Sequence, residues 1–490
     1  MFDNQTFLFY DLETSGINNS FDQVLQFAAI RTDLDFNEIQ RFNFFVKLNP
    51  DTTPSPMATI THHISIAQAN TGISEYDAIR KIHKIINTPG TISIGYNTLG
   101  FDDEFLRFAF YKNMLPPYTH QFKNNCSRAD LFPIVACYSA FFKQGLKWPK
   151  VKDDEGQEKI SLKLENLNQA NNFYSDGRAH DAITDVIVTV ELAKKLKSAN
   201  PKMWQFLLDK FNKQNDENTL SQLDVGVEIG GHEYRQAIAI NGIFGSKNNF
   251  TSAILDLGQH RHYKNQEIFL RLDSYLFSEF IEEFGSLEAE HWRLTINKKW
   301  GDIPLILPAK TRFVGKLPQE RLGLIKANKE FIKSNPETFA NFVDYVLEYK
   351  YSEIENIDVD AAIYQSDFMT SADERGCDKF HSSAIYQKAQ MLNQLPGKFY
   401  DRAVRIIGRL DFSKLPEKAQ MEFQEYLNKI VSLDNDELLV DHRGKTRKTL
   451  EDIYQEMQDV RMNKDLTEEQ QALLYELEGY LFQLNRFINF

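Results

Sequence analysis

The stretch FLFYDLETSG, residues 7–16, joins an apolar run to two acids and decides the first part of the fold. The apolar run predicts a buried strand, and Ser15 with Gly16 predicts a turn at its end. Side chains two residues apart on a strand point to the same face, so Asp11 and Glu13 project together. Neighbouring carboxylates repel each other unless a positive charge lies between them. The pair therefore predicts either an exposed strand end or half of a metal site.

The composition is that of a soluble globular protein. The chain has 490 residues, of which 42% are hydrophobic and 26% charged, and this supports two to four packed domains. Neither a membrane span nor a secretory signal is predicted, so we expect a cytoplasmic protein. Three cysteines without C-x-x-C spacing are predicted to be buried thiols in a reducing compartment: Cys126, Cys137 and Cys377. The net charge of -13 leaves nucleic acid open as a ligand, because net charge does not describe a groove.

Changes in hydrophobic pattern divide the chain into three predicted domains. Residues 1–200 alternate strand-like and helix-like segments and predict an α/β domain with a mixed sheet. Residues 201–352 contain short β-rich runs separated by Gly, Asn and Pro, which predict a small antiparallel barrel or sheet. Residues 353–490 are predicted to be helical, and Thr467 with Gln470 has the spacing of a capping box.

Two further motifs carry acids in the first predicted domain. In GYNTLGFDDEF, Asp102 and Asp103 begin a predicted helix, where they could simply complement the helix dipole by about 0.3 to 1 kcal/mol. In AHDAITD, His180 precedes Asp185 by five residues, and a single histidine there is usually structural. Each motif is weak alone. The ordered set of D-x-E, N-x-x-x-F-D and H-x-x-x-x-D within one α/β domain is a strong signal.

The combined motifs predict a two-metal hydrolytic site. Carboxylates are oxygen ligands suited to hard divalent cations, and Mg²⁺ leaves positions open for water and phosphate oxygens. The predicted metal ligands are Asp11, Glu13, Asp102 and Asp185. His180 is predicted to be the general base that takes a proton from the attacking water, a role worth about 10² to 10⁴ in rate.

These motifs resemble those of the DEDD exonuclease superfamily. His180 places the chain in the DEDDh branch, because the tyrosine of the other branch would occupy the position of Asp181. The segments QFAAIRTD, GYNTLGFDDEF, SRADLFPIVACY and LENLNQANNF resemble, more closely, the bacterial exodeoxyribonuclease I family. This resemblance covers nearly the whole chain. It implies a ribonuclease H-like exonuclease domain, an SH3-like β-barrel domain and an α-helical C-terminal domain that together frame a groove for single-stranded DNA.

The resemblance also implies an activity and its partners. The expected reaction is processive 3′ to 5′ hydrolysis of single-stranded DNA, which releases 5′-mononucleotides. The expected cofactor is Mg²⁺, for which Mn²⁺ can substitute. The expected biological role is DNA repair and recombination. A monomer is expected, with the acidic C-terminal tail of single-stranded-DNA-binding protein as its protein partner.

Candidate substrate contacts lie in two places. The backbone at Leu12 and Thr14 adjoins two predicted ligands, so we expect it to contact the terminal nucleotide. Residues 293–333 hold ten lysines and arginines against three acids, interleaved with aromatic residues. Arg312, Lys316 and Trp300 represent this segment. Such a pattern is typical of a groove that stacks bases and binds phosphates, and also of a basic pocket for an acidic peptide. Both uses stay open.

Two other functions compete with this interpretation. An RNA-trimming DEDDh exonuclease would have the same active residues, although such enzymes generally resemble only the first domain. A catalytically silent scaffold that binds single strands would keep binding when metal is removed, whereas hydrolysis would stop. The intact acids and His180 disfavour the scaffold.

Overall fold

The computed structural model describes residues 5–153, 155–175, 181–282, 294–432 and 438–488. Its elements form three units in chain order. The first unit holds a five-stranded sheet between helices. The middle unit holds a six-stranded sheet flanked by helices, and the third, the helical unit, contains helices in its described part.

The first unit is built on a mixed sheet with the strand order β3-β2-β1-β4-β5. The strands of this sheet are β1 (Thr6–Thr14), β2 (Val24–Thr32), β3 (Glu38–Phe45), β4 (Thr91–Gly95) and β5 (Ser127–Asp130). A separate short hairpin consists of β6 (Lys150–Lys152) and β7 (Glu158–Ile160). The helices of the first unit are α1 (Pro56–His62), α2 (Ile66–Asn70), α3 (Glu75–Ile86), α4 (Asp102–Lys112), α5 (Leu131–Phe141), α6 (Leu164–Asn171) and α7 (Ala182–Ala199). The α/β fold predicted for this part of the chain is confirmed.

Alternation along β1 separates the two faces of the sheet. Phe7 and Phe9 pack into a core with α5 and α7, whereas Leu8, Tyr10 and Leu12 pack against α3 and α4. β1 pairs antiparallel with β2 and parallel with β4, and β5 continues the parallel part. The carboxyl ends of β1, β4 and β5 therefore meet at one edge of the sheet.

The middle unit has more helix than its sequence predicted. Its strands are β8 (Val225–Ile229), β9 (His232–Ile240), β10 (Thr251–Gln259), β11 (Gln266–Arg271), β12 (Thr295–Lys299) and β13 (Leu305–Pro308). Its helices are α8 (Pro201–Leu208), α9 (Lys213–Ser221), α10 (Phe277–Glu282), α11 (Thr311–Val314), α12 (Gln319–Ser334) and α13 (Pro336–Glu348). The sheet order is β12-β11-β10-β9-β13, with β8 also on β9. Within the described residues these pairings give an antiparallel sheet, and no pairing closes it into the expected SH3-like barrel.

The segment around Pro201, at the predicted boundary between the first two domains, is a helix junction. α7 ends at Ala199, and the Asn200 side chain accepts a hydrogen bond from the Met203 N–H at the start of α8. Proline is compatible with the first position of a helix, because its missing N–H has no helical partner there. One apolar core also continues from α7 through Trp204 into the middle sheet. The first and middle units are therefore packed together.

The helical unit contains α14 (Ser371–Ser382), α15 (Ile385–Met391), α16 (Gly397–Asp411), α17 (Glu417–Val431), α18 (Leu450–Asn463) and α19 (Glu468–Ile488). The predicted capping box is confirmed, because the Gln470 N–H donates to Thr467 Oγ1 at 3.2 Å and the Thr467 N–H to Gln470 Oε1 at 3.1 Å. Among the described helices, none combines the length and apolar character needed to cross a membrane. All three cysteines are buried, free thiols.

Candidate active site

Three of the predicted metal ligands meet at the edge of the first sheet. Asp11 and Glu13 lie on the face of β1 that is covered by α7, opposite Ala28 and Gln26 of β2. Asp185 lies in the first turn of α7. One carboxylate oxygen of each acid lies within 4.8 Å of the other two, and all three residues are half-buried. We call this group, together with Asp102, the acidic cluster.

The structure separates the two adjacent acids of the FDD motif. Asp102 is buried at the start of α4, and its Oδ1 accepts a hydrogen bond from the Leu12 N–H at 3.1 Å. This hydrogen bond joins Asp102 to the residue between Asp11 and Glu13, and the charge of Asp102 is among the causes that raise the pKa of Asp11. Asp103 faces away from them. Although burial alone would raise the pKa of Asp103, Arg128 and His120 hold it below its usual range.

Burial and mutual repulsion favour the protonated forms of Asp11, Glu13 and Asp102. Burial, followed by the charges of Asp102 and Glu13, raises the pKa of Asp11 well above its usual value. Burial and Asp185 raise the pKa of Glu13 to about 9, and burial raises that of Asp102 to about 8. Three acids with raised pKa values, Asp11, Glu13 and Asp102, and the converging oxygens of Asp11, Glu13 and Asp185 are a donor set that fits divalent cations, since a cation replaces the protons and removes the repulsion.

Raised pKa values predict how stability changes with pH. A carboxyl whose pKa is higher in the folded chain contributes stability fully below its ordinary pKa of about 4, and loses it as the pH rises through the folded value. The metal-free protein should therefore lose stability between about pH 5 and pH 9 through this group. Added Mg²⁺ or Mn²⁺ should raise the unfolding midpoint more at about pH 8.5 than at about pH 5.5. Differential scanning fluorimetry would measure this, and an equal metal effect at both pH values would contradict it.

His180, the predicted general base, lies outside the described residues and stays a prediction. The structure does describe its neighbour Asp181, which precedes α7 and accepts a hydrogen bond from Gln26 Nε2 at 3.1 Å. The charge of Asp181 also contributes to the raised pKa of Glu13. Sequence reasoning placed neither Asp181 nor Gln26 in the site. The position of Asp181 directly after His180 was the available signal.

Leu12 and Thr14, where backbone contacts with the terminal nucleotide were predicted, already form hydrogen bonds within the chain. The Leu12 N–H already donates to Asp102, and the Leu12 side chain is buried in the core beside α3 and α4. Thr14 Oγ1 donates to the Gly16 carbonyl at 2.7 Å. Nucleotide contact at these two residues stays a prediction, and the Leu12 N–H is occupied unless Asp102 moves.

The basic segment of the middle unit is partly structural. Lys298 is fully buried and pairs with Asp216 at 2.5 Å, and buried Arg321 donates through Nε to Asp273 Oδ2 at 3.0 Å. Trp300 packs against the middle sheet with Lys213 5.8 Å from its ring centre. Lys298 and Arg321 are neutralised by acids inside the middle unit. The count of lysines and arginines in the sequence therefore overstates the positive charge available to a ligand.

Two predicted contacts in this segment remain exposed. Arg312 lies over the Phe313 ring at 4.8 Å, and Lys316 donates to the Phe141 carbonyl while lying 5.8 Å from the Phe142 ring centre. Together they form a basic surface where α11 of the middle unit meets α5 of the first, with Phe313 buried beneath Arg312 and Phe142 half-buried beside Lys316. The structure does not bring Arg312, Lys316 or Trp300 into the acidic cluster.

Comparison with known proteins places this geometry in context. Residues 8–193 match the RNase_T family, described as exonuclease. The chain is 30% identical to exodeoxyribonuclease I of Escherichia coli, over 75% of this chain and 77% of that protein. It is 32% identical to that of Haemophilus influenzae, over 65% and 67%. The 38% identity to the Buchnera aphidicola protein from Schizaphis graminum spans 53% of this chain and about half, 51%, of that protein.

Solved structures extend the similarity to the whole fold. The crystal structure of Escherichia coli exonuclease I with a deoxyadenosine oligonucleotide has a TM-score of 0.79 and 25% identity, covering 98% of this chain and all of that one. The apo form of exonuclease I has a TM-score of 0.78 and the same identity and coverage. The arrangement of all three units is therefore similar to that of these enzymes.

Proposed function

The chain belongs to the exodeoxyribonuclease I family, and on that basis we propose that it degrades single-stranded DNA from the 3′ end, releasing 5′-mononucleotides. A role in DNA repair and recombination follows from such an activity. The observation that carries the proposal is the acidic cluster, in which oxygens of Asp11, Glu13 and Asp185 converge within 4.8 Å. The relative crystallised with an oligonucleotide supports the choice of substrate.

The acidic cluster would hold two Mg²⁺ ions, with Mn²⁺ as a substitute, through Asp11, Glu13, Asp102 and Asp185. Two such ions, when bound, stabilise the attacking and leaving oxygens of a displacement at phosphorus. The chain's own part is to hold its carboxylates in place. Asp102 is oriented by the Leu12 N–H, and β1 fixes Asp11 and Glu13 on one face.

We assign proton transfer to His180, the motif histidine beside Asp181. A histidine has an ordinary pKa near neutrality, so it can accept a proton from the attacking water at the working pH. Asp181 is held by Gln26 and thereby fixes the backbone that follows His180. Asp11 and Glu13 carry raised pKa values in the metal-free chain, so they require the cations before both can be ionised.

A time course on 5′-labelled single-stranded DNA tests the proposal. With Mg²⁺, we expect a ladder that shortens from the 3′ end and no reaction with EDTA. Duplex DNA and RNA of the same sequence serve as the comparison substrates. Preferential cleavage of RNA would leave the site intact but overturn the substrate, and metal-independent binding without cleavage would indicate a silent scaffold.

Further features of the family are part of the proposal. The middle sheet would be the SH3-like domain, and the domain boundaries would lie near residues 200 and 352. The protein would act as a cytoplasmic monomer. Its partner would be the acidic C-terminal tail of single-stranded-DNA-binding protein, bound at the basic surface of Arg312 and Lys316, where the half-buried ring of Phe142 suits the apolar part of a peptide.

Removing one cation from this surface should weaken peptide binding more than DNA binding. For Arg312→Ala and Lys316→Ala we expect affinity for a fluorescent tail peptide to fall about tenfold, the value of one charge-assisted hydrogen bond. Lys418→Ala, on an exposed lysine of the helical unit, should change nothing. Anisotropy titrations would measure both ligands. If DNA affinity falls instead, and its salt slope drops by about 0.7 per lost phosphate contact, these residues belong to the DNA groove.

A further inference from the structure

A buried chain of ionic contacts lies directly beside the acidic cluster. Asp103 is fully buried and accepts a hydrogen bond from His120 Nε2 at 2.8 Å on one oxygen. Its other oxygen accepts from an Arg128 guanidinium nitrogen, and Arg107 Nε lies 3.3 Å away. His120 is also fully buried, and both arginines are largely so. Nothing in the proposed hydrolysis uses these groups directly.

The same arginine extends the chain into the middle unit. A second guanidinium nitrogen of Arg128 donates to Asp302 Oδ2 at 2.7 Å. Asp302 belongs to the turn between β12 and β13, and its other oxygen accepts from the Ile303 N–H at 2.8 Å. This turn is itself held firmly, because the Gly301 N–H donates to buried Asp216 at 2.8 Å and Asp216 also pairs with Lys298. Asp302 is therefore a fixed point of the middle unit.

We propose that Asp302, Arg128 and Asp103 form a positioning relay, through which the middle unit holds Asp102 in the acidic cluster. This inference rests on the proposed function of that cluster. Asp102 and Asp103 are consecutive residues in the first turn of α4, so a displacement of one backbone position displaces the other. Asp102 points to β1 through the Leu12 N–H, whereas Asp103 points into the relay. The first turn of α4 is thus held from both sides.

Charge explains why the relay needs both carboxylates. Arg128 bridges two acids with separate guanidinium nitrogens, and its planar fork fixes the direction of each hydrogen bond. With Asp302 replaced by a neutral amide, the buried guanidinium loses one of its two counter-charges, so it can shift away from the turn of the middle unit and carry Asp103 with it. Groups that support metal ligands must hold them to within about 0.5 Å, so such a movement would weaken cation binding.

The test replaces Asp302 and measures metal affinity without DNA. For Asp302→Asn we expect Mn²⁺ affinity, measured by electron paramagnetic resonance, to fall about 10- to 100-fold, the usual loss when support of a metal ligand is removed. We expect kcat to fall similarly on thymidine 5′-(p-nitrophenyl phosphate) and on a long oligonucleotide, with an unchanged KM for the long strand. Asp302→Glu, which keeps the carboxylate, should recover part of the Mn²⁺ affinity. Asp224→Asn is the matched control, because Asp224 forms an exposed pair with Lys310 in the same unit.

The outcomes separate the relay from the proposed function. Unchanged Mn²⁺ affinity in Asp302→Asn would overturn the relay, as would an effect confined to KM for the long strand. If Asp302→Asn does not fold, Arg128→Lys, which cannot bridge both acids with a planar fork, makes the same prediction. If the unaltered protein binds Mn²⁺ but cleaves neither substrate, the proposed function fails, and the Mn²⁺ comparison still decides the relay.

Discussion

Replacing Asp11 with asparagine is expected to abolish hydrolysis and, at the same time, to stabilise the metal-free protein. Asparagine keeps the shape of aspartate but removes its charge. Hydrolysis should fall by at least about 10³-fold, equivalent to roughly 4 kcal/mol of lost transition-state stabilisation. The metal-free chain should gain stability because burial and four neighbouring acids, Asp102 among them, raise the pKa of Asp11 and so penalise its charge at neutral pH.

Asp11→Asn is expected to lower the rate of hydrolysis and to raise the stability of the metal-free protein. A general loss of folding would lower both quantities, so the experiment distinguishes the two explanations. Single-strand cleavage and the unfolding midpoint in EDTA would be measured on the same preparation at about pH 8. The matched control is Asp35→Asn, because Asp35 is a largely exposed acid of the same unit that pairs with Lys197. It should change stability by less than about 0.5 kcal/mol and leave the rate unaltered. A rate within tenfold of the unaltered protein, or a lower midpoint in EDTA, would show that Asp11 is not part of a repulsive metal-binding group.

Replacing Arg409 with alanine should cause the largest loss of stability among the ion pairs at the unit interfaces. One guanidinium nitrogen of Arg409 donates to Asp51 at 2.7 Å and to Asp360 at 2.8 Å, and all three side chains are buried. Tyr426 adds a hydrogen bond to the same oxygen of Asp51 at 2.6 Å. Removing the cation leaves buried Asp51 without its main charged partner and Asp360 with Arg405 alone, which costs about 3 to 5 kcal/mol.

The Arg409→Ala effect should appear at the contact between the first and helical units. Asp51 belongs to the first unit, whereas Arg409 and Asp360 lie after the middle unit, so the pair joins distant parts of the chain. Urea unfolding followed by circular dichroism would measure the loss. Arg41→Ala is the control, because its pair with Glu38 is exposed and worth less than about 1 kcal/mol. Equal losses in both variants would mean that the Arg409 network is effectively solvated.

The local elements were predictable because their signals lie within a few residues. The segment EYDAIRKIHKII has a helical pattern of apolar residues and forms α3, Glu75–Ile86, and the predicted capping box before α19 is present. Alternation in the opening stretch correctly placed Asp11 and Glu13 on one face of β1. The resemblance to exodeoxyribonuclease I identified the family, and the similarity to solved structures extends over the three units.

Choices between chemically equal residues depended on distant partners. Asp102 and Asp103 are adjacent and identical in type, and only the packing of α4 between β1 and Arg128 gives them different roles. Lys298 and Arg321 read as ligand-binding cations in the sequence, but the fold buries both against acids. His180 was named by its motif alone and stays a prediction.

Strand alternation, helix starts and motif spacing are local properties of the chain. The amino-acid sequence was therefore enough to identify the residues that could bind metal or transfer a proton. Tertiary structure alone decided which of them converge. Asp185 reaches Asp11 and Glu13 across more than 170 positions only because α7 packs on β1. The physical reason is that the cost of a buried charge depends on its surroundings. A carboxylate binds a metal cation, accepts a hydrogen bond from an arginine or faces water according to its tertiary contacts, which no local sequence pattern encodes.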